Sequence, residues 1–141
     1  MSFLLDTDIL SEWVKPRPDQ GVIAWLEGVD EDRVFISVVT LAELRHGTER
    51  MDHGAHRKGL EKWLSHELPA RFEERILTID GAVADAWGVI VAQHEAIGSP
   101  IGPMDAFIAA TARVHGLTVV TRNVSDFKSS VEHVLDPWRR S

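Results

Sequence analysis

Four acidic residues are placed where a metal site would need them: Asp6, Glu43, Asp105 and Asp126. Each follows a short apolar run typical of a buried strand, or lies in the first turn of a predicted helix. In an open α/β sheet these places converge on one crevice at the carboxyl ends of the strands. Carboxylates gathered there repel one another unless a cation or shared protons hold them together. Their oxygen atoms suit Mg²⁺ or Mn²⁺, so the pattern predicts a divalent metal site.

Each of these acids also has an ordinary structural interpretation. Asp6 can cap a helix, Asp105 can be a first-turn acid favoured by the helix dipole, and Asp126 can be a turn residue. Thr40 and Glu43 have the spacing of a capping box, in which the glutamate reaches back to the N–H at the helix start. None of these interpretations explains why all four acids share one end of the predicted sheet. We therefore expect a common site, with capping as an overlapping role.

Neighbouring polar side chains extend the predicted site. Thr7, Thr121 and Asn123 are placed to hydrogen-bond a carboxylate, a metal-bound water or a phosphate oxygen. Thr40 is interpreted as a cap hydroxyl. Three further acids are weighed beside the quartet: Asp80 as a helix cap, Asp8 as a residue pointing into solvent, and Asp85.

Short apolar runs alternate with amphipathic stretches, which predicts an α/β fold with a parallel sheet covered on both faces. Pro69 is expected to break the chain, Pro103 suits the first turn of a helix, and Gly116 suits its C-cap. Strands are predicted at 3–5, 33–37, 76–79 and 117–121, with a short fifth at 131–135; helices are predicted at 8–15, after Asp19, and at 40–51, 53–67, 81–96 and 103–115.

Length and composition predict one globular domain spanning residues 1–141, with 44% hydrophobic and 26% charged residues. No apolar run approaches the roughly 20 residues needed to cross a bilayer, so no membrane association is expected. The N-terminus does not read as a secretory signal and the chain has no cysteine, which favours a cytoplasmic protein. A formal net charge of -7 argues against a simple nucleic-acid-binding module, which is usually basic.

Two surface features have alternative interpretations. Trp13, Trp25 and Leu26 either line a groove for a partner helix or belong to the core, whereas Trp63 and Trp87 are interpreted as core residues. A group of basic residues is interpreted as a solvated helix face with acidic partners: Arg45, His46, Arg50, Arg57, Lys58 and Lys62.

Four segments, in this order, resemble the PIN-domain family and in particular the VapC and FitB group of bacterial toxin–antitoxin ribonucleases. The resemblance covers nearly the whole chain, and the ending Asp-Pro-Trp at 136–138 is also similar to that group. The matching segments are LLDTDILS at 4–11, SVVTLAELRHG at 37–47, MDAFIAATA at 104–112 and TRNVSDF at 121–127.

The resemblance implies a PIN-like three-layer α/β/α domain with a central parallel sheet of four to five strands. It implies Mg²⁺- or Mn²⁺-dependent endoribonuclease activity that leaves a 5′-phosphate and a 3′-hydroxyl. Asp6 and Asp105 are then expected to bind metal directly, while Glu43 and Asp126 bind metal or orient water. A homodimer and an inhibiting antitoxin are the implied partners. Many family members have Asn at the position of Asp8, so this chain has an additional negative charge there.

Two other functions remain open at this point. Asp6-Thr7-Asp8 after a strand looks like the DxD motif of haloacid-dehalogenase-type phosphatases, in which the first aspartate is the nucleophile. The chain departs from that pattern at Leu10 and has no convincing lysine motif before a late acidic pair. The other alternative is a PIN-like binding module without catalytic activity, against which the intact quartet argues.

Overall fold

The computed structural model describes residues 1–138, so positions 139–141 of the predicted domain lie outside the described residues. The strands are β1 (Phe3–Leu5), β2 (Val34–Ser37), β3 (Ile76–Leu77), β4 (Thr118–Val120) and β5 (Val134–Leu135). The α-helices are α1 (Thr7–Trp13), α2 (Gln20–Gly28), α3 (Val38–Glu49), α4 (Ala55–Lys62), α5 (Leu68–Phe72), α6 (Gly81–Ala96), α7 (Pro103–His115) and α8 (Val124–Phe127).

The strands form one five-stranded sheet in the order β3-β2-β1-β4-β5, and every neighbouring pair is parallel. This confirms the predicted parallel sheet of four to five strands. β1 lies at the centre, where Leu4 pairs with Phe35 of β2 and with Val119 of β4. The chain continues from β1 to β2 on one side, while β4 lies on the other side. The carboxyl ends of β1 and β4 therefore form the topological switch point, where open α/β sheets place their ligands.

Successive residues of the central strands point to opposite faces of the sheet, as the pleat requires. Leu4 and Val119 belong to a hydrophobic cluster that α6 and α7 cover. Leu5 and Val120 belong to a second cluster that α1, α2 and α5 cover. The sheet thus lies between two layers of helices, which confirms the predicted α/β/α arrangement.

Helix α3 begins earlier than predicted, and this overturns the capping-box interpretation of Glu43. The N-cap is Ser37, whose hydroxyl accepts a hydrogen bond from the amide of Val39 at 3.0 Å. Because β2 runs directly into Ser37, the helix needs no second cap at Thr40, which is fully buried inside it. Glu43 consequently lies in the second turn, where its carboxylate is available to other residues.

The helix predicted at 53–67 begins at Ala55 and does not end before Pro69. A π-helical segment, Trp63–Glu67, joins α4 to α5, so the chain remains helical from residue 55 to residue 72. Pro69 lies at the start of α5, directly after the π-helical segment. The prediction that this proline breaks the chain is therefore wrong.

Most of the other predicted helix ends are confirmed by their capping contacts. The Asp19 carboxylate accepts hydrogen bonds from the amides of Gly21 and Val22 at the start of α2. Asp80 caps α6 through the amide of Val83 at 2.9 Å. Gly116 ends α7 in the left-handed conformation with φ of 64°, which glycine adopts without strain.

Substituting Gly21 by alanine should destabilise the protein, because α2 contacts the segment after β5 at this point. An added Cβ would lie 2.6 Å from the carbonyl oxygen of Pro137 and 3.0 Å from Asp19 Oδ1. We expect Gly21→Ala to lower the free energy of unfolding by roughly 1–3 kcal/mol. Gly28→Ala is the matched control, since a Cβ there meets nothing within 4 Å. Urea titrations that gave both variants the same stability would contradict this contact.

Candidate metal-dependent active site

Asp6 lies at the switch point and connects the ends of β1 and β4. Its amide donates to the carbonyl of Val120 at 2.9 Å. Its carboxylate accepts two hydrogen bonds of 2.8 Å, one from the amide of Thr7 and one from the hydroxyl of Thr121. Asp6 is therefore the N-cap of α1, as its sequence position allows, and is also held from the neighbouring strand. Only 4% of the residue is exposed.

Burial of Asp6 raises the pKa of its carboxyl to about 7. The charge of Asp8 adds to the rise and Asp105 contributes a smaller part, whereas the hydrogen bonds from Thr121 and Thr7 lower the pKa. Near neutral pH the carboxylate is thus close to its protonation midpoint. A cation bound beside it would favour the ionised form.

Thr7 connects the start of α1 to α3. Its hydroxyl donates to Glu43 Oε1 at 2.6 Å, and Thr40 Oγ1 lies 3.4 Å from the same hydroxyl oxygen. Thr40, predicted to be a cap, is thus a buried neighbour of this contact. The contact fixes Glu43 on the side of the cleft formed by α3, so the structure brings Asp6, Thr7 and Glu43 together.

Asp105 lies in the first turn of α7, as predicted, and faces the other acids. The pKa of its carboxyl is raised by burial first, then by the charges of Asp126, Glu43 and Asp8. Asp126 lies on α8 and acts on Asp105 through its charge, but its side chain does not line the cleft that contains the other acids. The structure therefore brings Asp6, Glu43 and Asp105 into one cleft and places Asp126 beside it.

Asp8 does not point into solvent, so that prediction is wrong. Its Oδ2 accepts a hydrogen bond from the amide of Arg122 at 2.9 Å and lies 3.4 Å from the Thr121 hydroxyl. Its Oδ1 is buried and has no hydrogen-bond partner in residues 1–138. Burial raises the pKa of the carboxyl, and the charge of Asp136 adds to the rise. The loop after β4 folds over Asp8, and no local pattern around residue 8 reveals this.

The acids share a cleft of about 370 Å³ at the switch point. Asn123, predicted as a site residue, lines it, and so do Lys15, Arg122 and Trp138, which the sequence analysis did not select. Lys15 Nζ lies 2.8 Å from Glu12, and the Arg122 guanidinium lies 5.3 Å from the centre of the Trp138 ring. Both cations therefore have partners other than the central acids, whose mutual repulsion is not relieved by a direct ion pair with either cation.

The donor set of the cleft fits a divalent oxygen-loving cation. Carboxylates with raised pKa values surround it, and the buried Oδ1 of Asp8 has unused acceptor capacity. Within the described residues, no three acidic, histidine or cysteine side chains stand close enough together to hold a metal by themselves. Mg²⁺ in proteins keeps several water ligands and binds through one or two carboxylates together with substrate phosphates.

The structure also shows what surrounds the basic group and the tryptophan residues that the sequence analysis singled out. Arg45 and Arg57 pair with Glu49, and Arg57 also pairs with Glu61, so these two members of the basic group have acidic partners as predicted. Trp25 packs edge-on against Phe3. The Arg71 guanidinium covers Trp13 at 4.2 Å.

The cavity beside Trp13 and Leu26 has about 20 Å³, and a groove for a partner helix on this face stays a prediction. Trp63 and Trp87 both pack against the core clusters, as predicted. None of the helices in the described part of the chain has the length and apolar character needed to cross a bilayer.

The fold and the site together define the class of this protein: it is a parallel α/β domain with carboxylates clustered at the switch point of its sheet. The family model named PIN domain matches residues 3–129. The chain therefore belongs to the PIN-domain family, and the fold implied by the resemblance is confirmed.

Relatives of similar length support this assignment. The chain is 36% identical over 135 residues to Toxin FitB of Neisseria gonorrhoeae, covering 96% of this chain and 97% of that protein. It is 34% identical over 135 residues to VapC ribonuclease Y4jK of Sinorhizobium fredii, covering 96% of each. The crystal structure of FitAcB from Neisseria gonorrhoeae superposes with a TM-score of 0.92 at 36% identity, covering 98% of this chain and 99% of that one.

Replacing Asp6 by asparagine should stabilise the metal-free protein at alkaline pH. The folded-state pKa is about 7 against an ordinary value of 3.8. The folded protein therefore holds more protons than the unfolded chain between these values, and its stability falls as pH rises through that window. Asparagine cannot ionise, so we expect Asp6→Asn to be more stable than wild type by roughly 1–3 kcal/mol at pH 8.

Thermal unfolding at a series of pH values tests this expectation. The difference should disappear toward pH 4, where Asp6 is protonated in the folded protein and at its midpoint in the unfolded chain. Added Mg²⁺ should raise the unfolding temperature of wild type more than that of the variant. A variant less stable than wild type at pH 8 would show that the charge of Asp6 is already compensated.

Proposed function

We propose that this protein is the toxin of a toxin–antitoxin pair and hydrolyses RNA phosphodiester bonds with Mg²⁺ or Mn²⁺ held by Asp6, Glu43, Asp105 and Asp126. The observation that carries the proposal is the gathering of Asp6, Glu43 and Asp105 in one cleft at the switch point, with Asp6 buried and its pKa raised to about 7. Nucleases of the PIN-domain family generally depend on divalent metals. The similarity to proteins named as a toxin and as a ribonuclease supports the same class of activity here.

The side chains have distinct roles in this mechanism. When bound, the divalent ion supplies a water ligand of lowered pKa and positive charge beside the phosphate that is attacked. Asp6 and Asp105 would hold the ion directly, and Glu43 and Asp126 would hold it or orient water. Thr121 holds Asp6 from the end of β4.

The hydroxyl of Thr7 holds Glu43, so both threonines position acids without adding charge to the cleft. Asn123 lies at the rim of the cleft, where its amide can donate to a phosphate oxygen.

The cognate partner in this proposal is an antitoxin protein, and the toxin acts as a homodimer in the cytoplasm. Structures similar to this chain are toxin–antitoxin complexes, among them FitAcB. The active unit is one PIN domain that spans residues 1–141. A short protein that copurifies with the toxin from its native host would support the partner assignment.

The phosphatase alternative is not favoured. Both carboxylate oxygens of Asp6 accept hydrogen bonds, from Thr7 and from Thr121, which suits a positioned ligand better than a free nucleophile. The inactive binding module is not favoured either, since the acids of the cleft are intact and the pKa values of Asp6 and Asp105 are raised. An aspartyl-phosphate trapped on Asp6 would revive the first alternative.

Asp105→Asn should abolish metal-dependent RNA cleavage, because it removes one of the two direct metal ligands. We expect wild type to cut total RNA in Mg²⁺ or Mn²⁺ and not in EDTA, with a loss of at least about 100-fold in the variant. Asp85→Asn is the matched control, since Asp85 is exposed on α6 and does not line the cleft. Cleavage by Asp105→Asn at the wild-type rate would refute the assignment.

Asp8→Asn should extend activity toward lower pH. The charge of Asp8 is the second cause, after burial, of the raised pKa of Asp6. Asparagine can still accept the hydrogen bond from the Arg122 amide but adds no charge, so the pKa of Asp6 falls. Because protons compete with metal for Asp6, the acidic limb of the kcat/KM profile should move down by roughly 0.5–1 pH unit. An unmoved limb would mean that another group controls the pH dependence.

A further inference from the structure

A second cavity, of about 230 Å³, opens beside the acidic cleft between α1, α3 and α4. Thr7, Ser11, Lys15 and Glu43 line both spaces, so the two cavities share a wall. A ligand with a phosphate in the acidic cleft therefore has a direct path into the second cavity. The exposed ammonium of Lys15 lies at this boundary, where it can also contact a phosphate of the same ligand.

The second cavity differs from the cleft in chemistry, because its walls are mainly apolar. Leu44, Met51, Leu60 and Trp63 are among the side chains that line it. An indole ring among aliphatic side chains is the usual surface on which a planar nucleobase stacks. The volume is below the roughly 300–1,000 Å³ of pockets that enclose drug-sized ligands, which suits a single ring system.

The position of Trp63 is fixed by an irregularity of the fold. Trp63 begins the π-helical segment between α4 and α5, and such segments often occur at functional sites. Arg45 of α3 donates a hydrogen bond to Ser65 within this segment at 2.9 Å. The segment is thus connected to α3, and Trp63 packs against the core cluster that Leu64 and Leu68 belong to.

Gly47 keeps the α3 side of the cavity open. It lines the cavity one helical turn after Glu43, on the same side of α3. A Cβ added at Gly47 would meet nothing within 4 Å, although glycine is unfavourable inside a helix. The backbone conformation at Gly47 does not require glycine. What the glycine does is leave space free, because it has no side chain.

We propose that this cavity is a base pocket, formed by Leu44, Gly47, Met51, Leu60 and Trp63, that holds one unpaired RNA base next to the phosphodiester bond that is cut. The inference rests on the proposed ribonuclease function and adds to it a specificity site. Sequence-selective recognition of RNA commonly uses bases that are splayed out of single strands and stacked on aromatic side chains. Glu43 shares helix α3 with Leu44 and Gly47, so one wall of the base pocket is held at a fixed separation from the acid at the bond that is cut.

Filling the pocket tests the inference. Gly47→Leu places a side chain in the free space and favours the helix, so its unfolding temperature should not fall. We expect it to weaken binding of a labelled random-sequence single-stranded RNA in Ca²⁺ by about tenfold or more. Gly47→Ala should give a smaller loss. Gly59→Leu is the control, because Gly59, like Gly47, is an exposed helical residue with nothing within 4 Å of an added Cβ, but it does not line the pocket.

The base composition at the cut sites of a random RNA pool gives a second readout in Mg²⁺ or Mn²⁺. Wild type and Gly59→Leu should share a base preference beside the cut, and Gly47→Leu should lose it. Unchanged RNA binding and preference in Gly47→Leu would overturn the base pocket while leaving the ribonuclease intact.

Two further outcomes separate the base pocket from the ribonuclease function. Binding that depends on Gly47 without cleavage by wild type would contradict the ribonuclease proposal and support the pocket. If Gly47→Leu loses only a copurifying protein partner and binds RNA normally, the cavity is a protein-docking site and the base pocket is wrong.

Discussion

The burial of one carboxylate, that of Asp6, is the constraint on which the rest of the site depends. The sheet order places the ends of β1 and β4 side by side, and from there the chain leaves toward opposite faces of the sheet. After β1 it enters α1, whose Ile9 and Leu10 pack on one face; after β4 it enters α8, whose Phe127 packs on the other. Asp6 caps α1 and accepts a hydrogen bond from Thr121 beyond β4, so the same side chain fastens both exits. The fold therefore holds a charge where burial opposes it, and a bound cation is what would offset that cost.

The hydroxyl groups around the acids orient the carboxylates without neutralising their charge. The hydroxyl of Thr7 donates a hydrogen bond to Glu43, and the hydroxyl of Thr121 donates one to Asp6. These hydrogen bonds offset only part of the free-energy cost of holding the charged carboxylates there. A lysine or arginine in either place would form a buried ion pair and leave little charge for a metal. The two cations that line the cleft in the described residues contact Glu12 and the ring of Trp138 instead. The repulsion among the acids therefore stays unrelieved because of how the threonines and the two cations are placed around them.

What the sequence predicted correctly was local, and what it missed depended on distant contacts. The caps Asp19, Asp80 and Gly116 were recognisable because each acts on the helix beside it. The position of Asp8 was predicted wrongly because its partner is the amide of Arg122, which is far away in the chain. Glu43 was open to misinterpretation because two possible caps, Ser37 and Thr40, precede it, and only the register of β2 decides between them. The acids themselves could be selected since strand ends are readable and a parallel sheet brings them to one edge; the apolar cavity beside them could not, since it arises from the packing of three helices.

The arrangement of α3 separates two tasks that share one helix. Glu43 faces the acidic cleft, where Thr7 fixes its carboxylate from another element. Gly47, one turn later, borders the apolar cavity and contributes no side chain to either space. A change at Gly47 alters the size of the cavity without touching the hydrogen bond that positions Glu43, whereas a change at Thr7 would disturb both spaces through their common wall. The hydrogen bond that positions Glu43 and the space left open at Gly47 are therefore independent of each other, although both residues belong to α3.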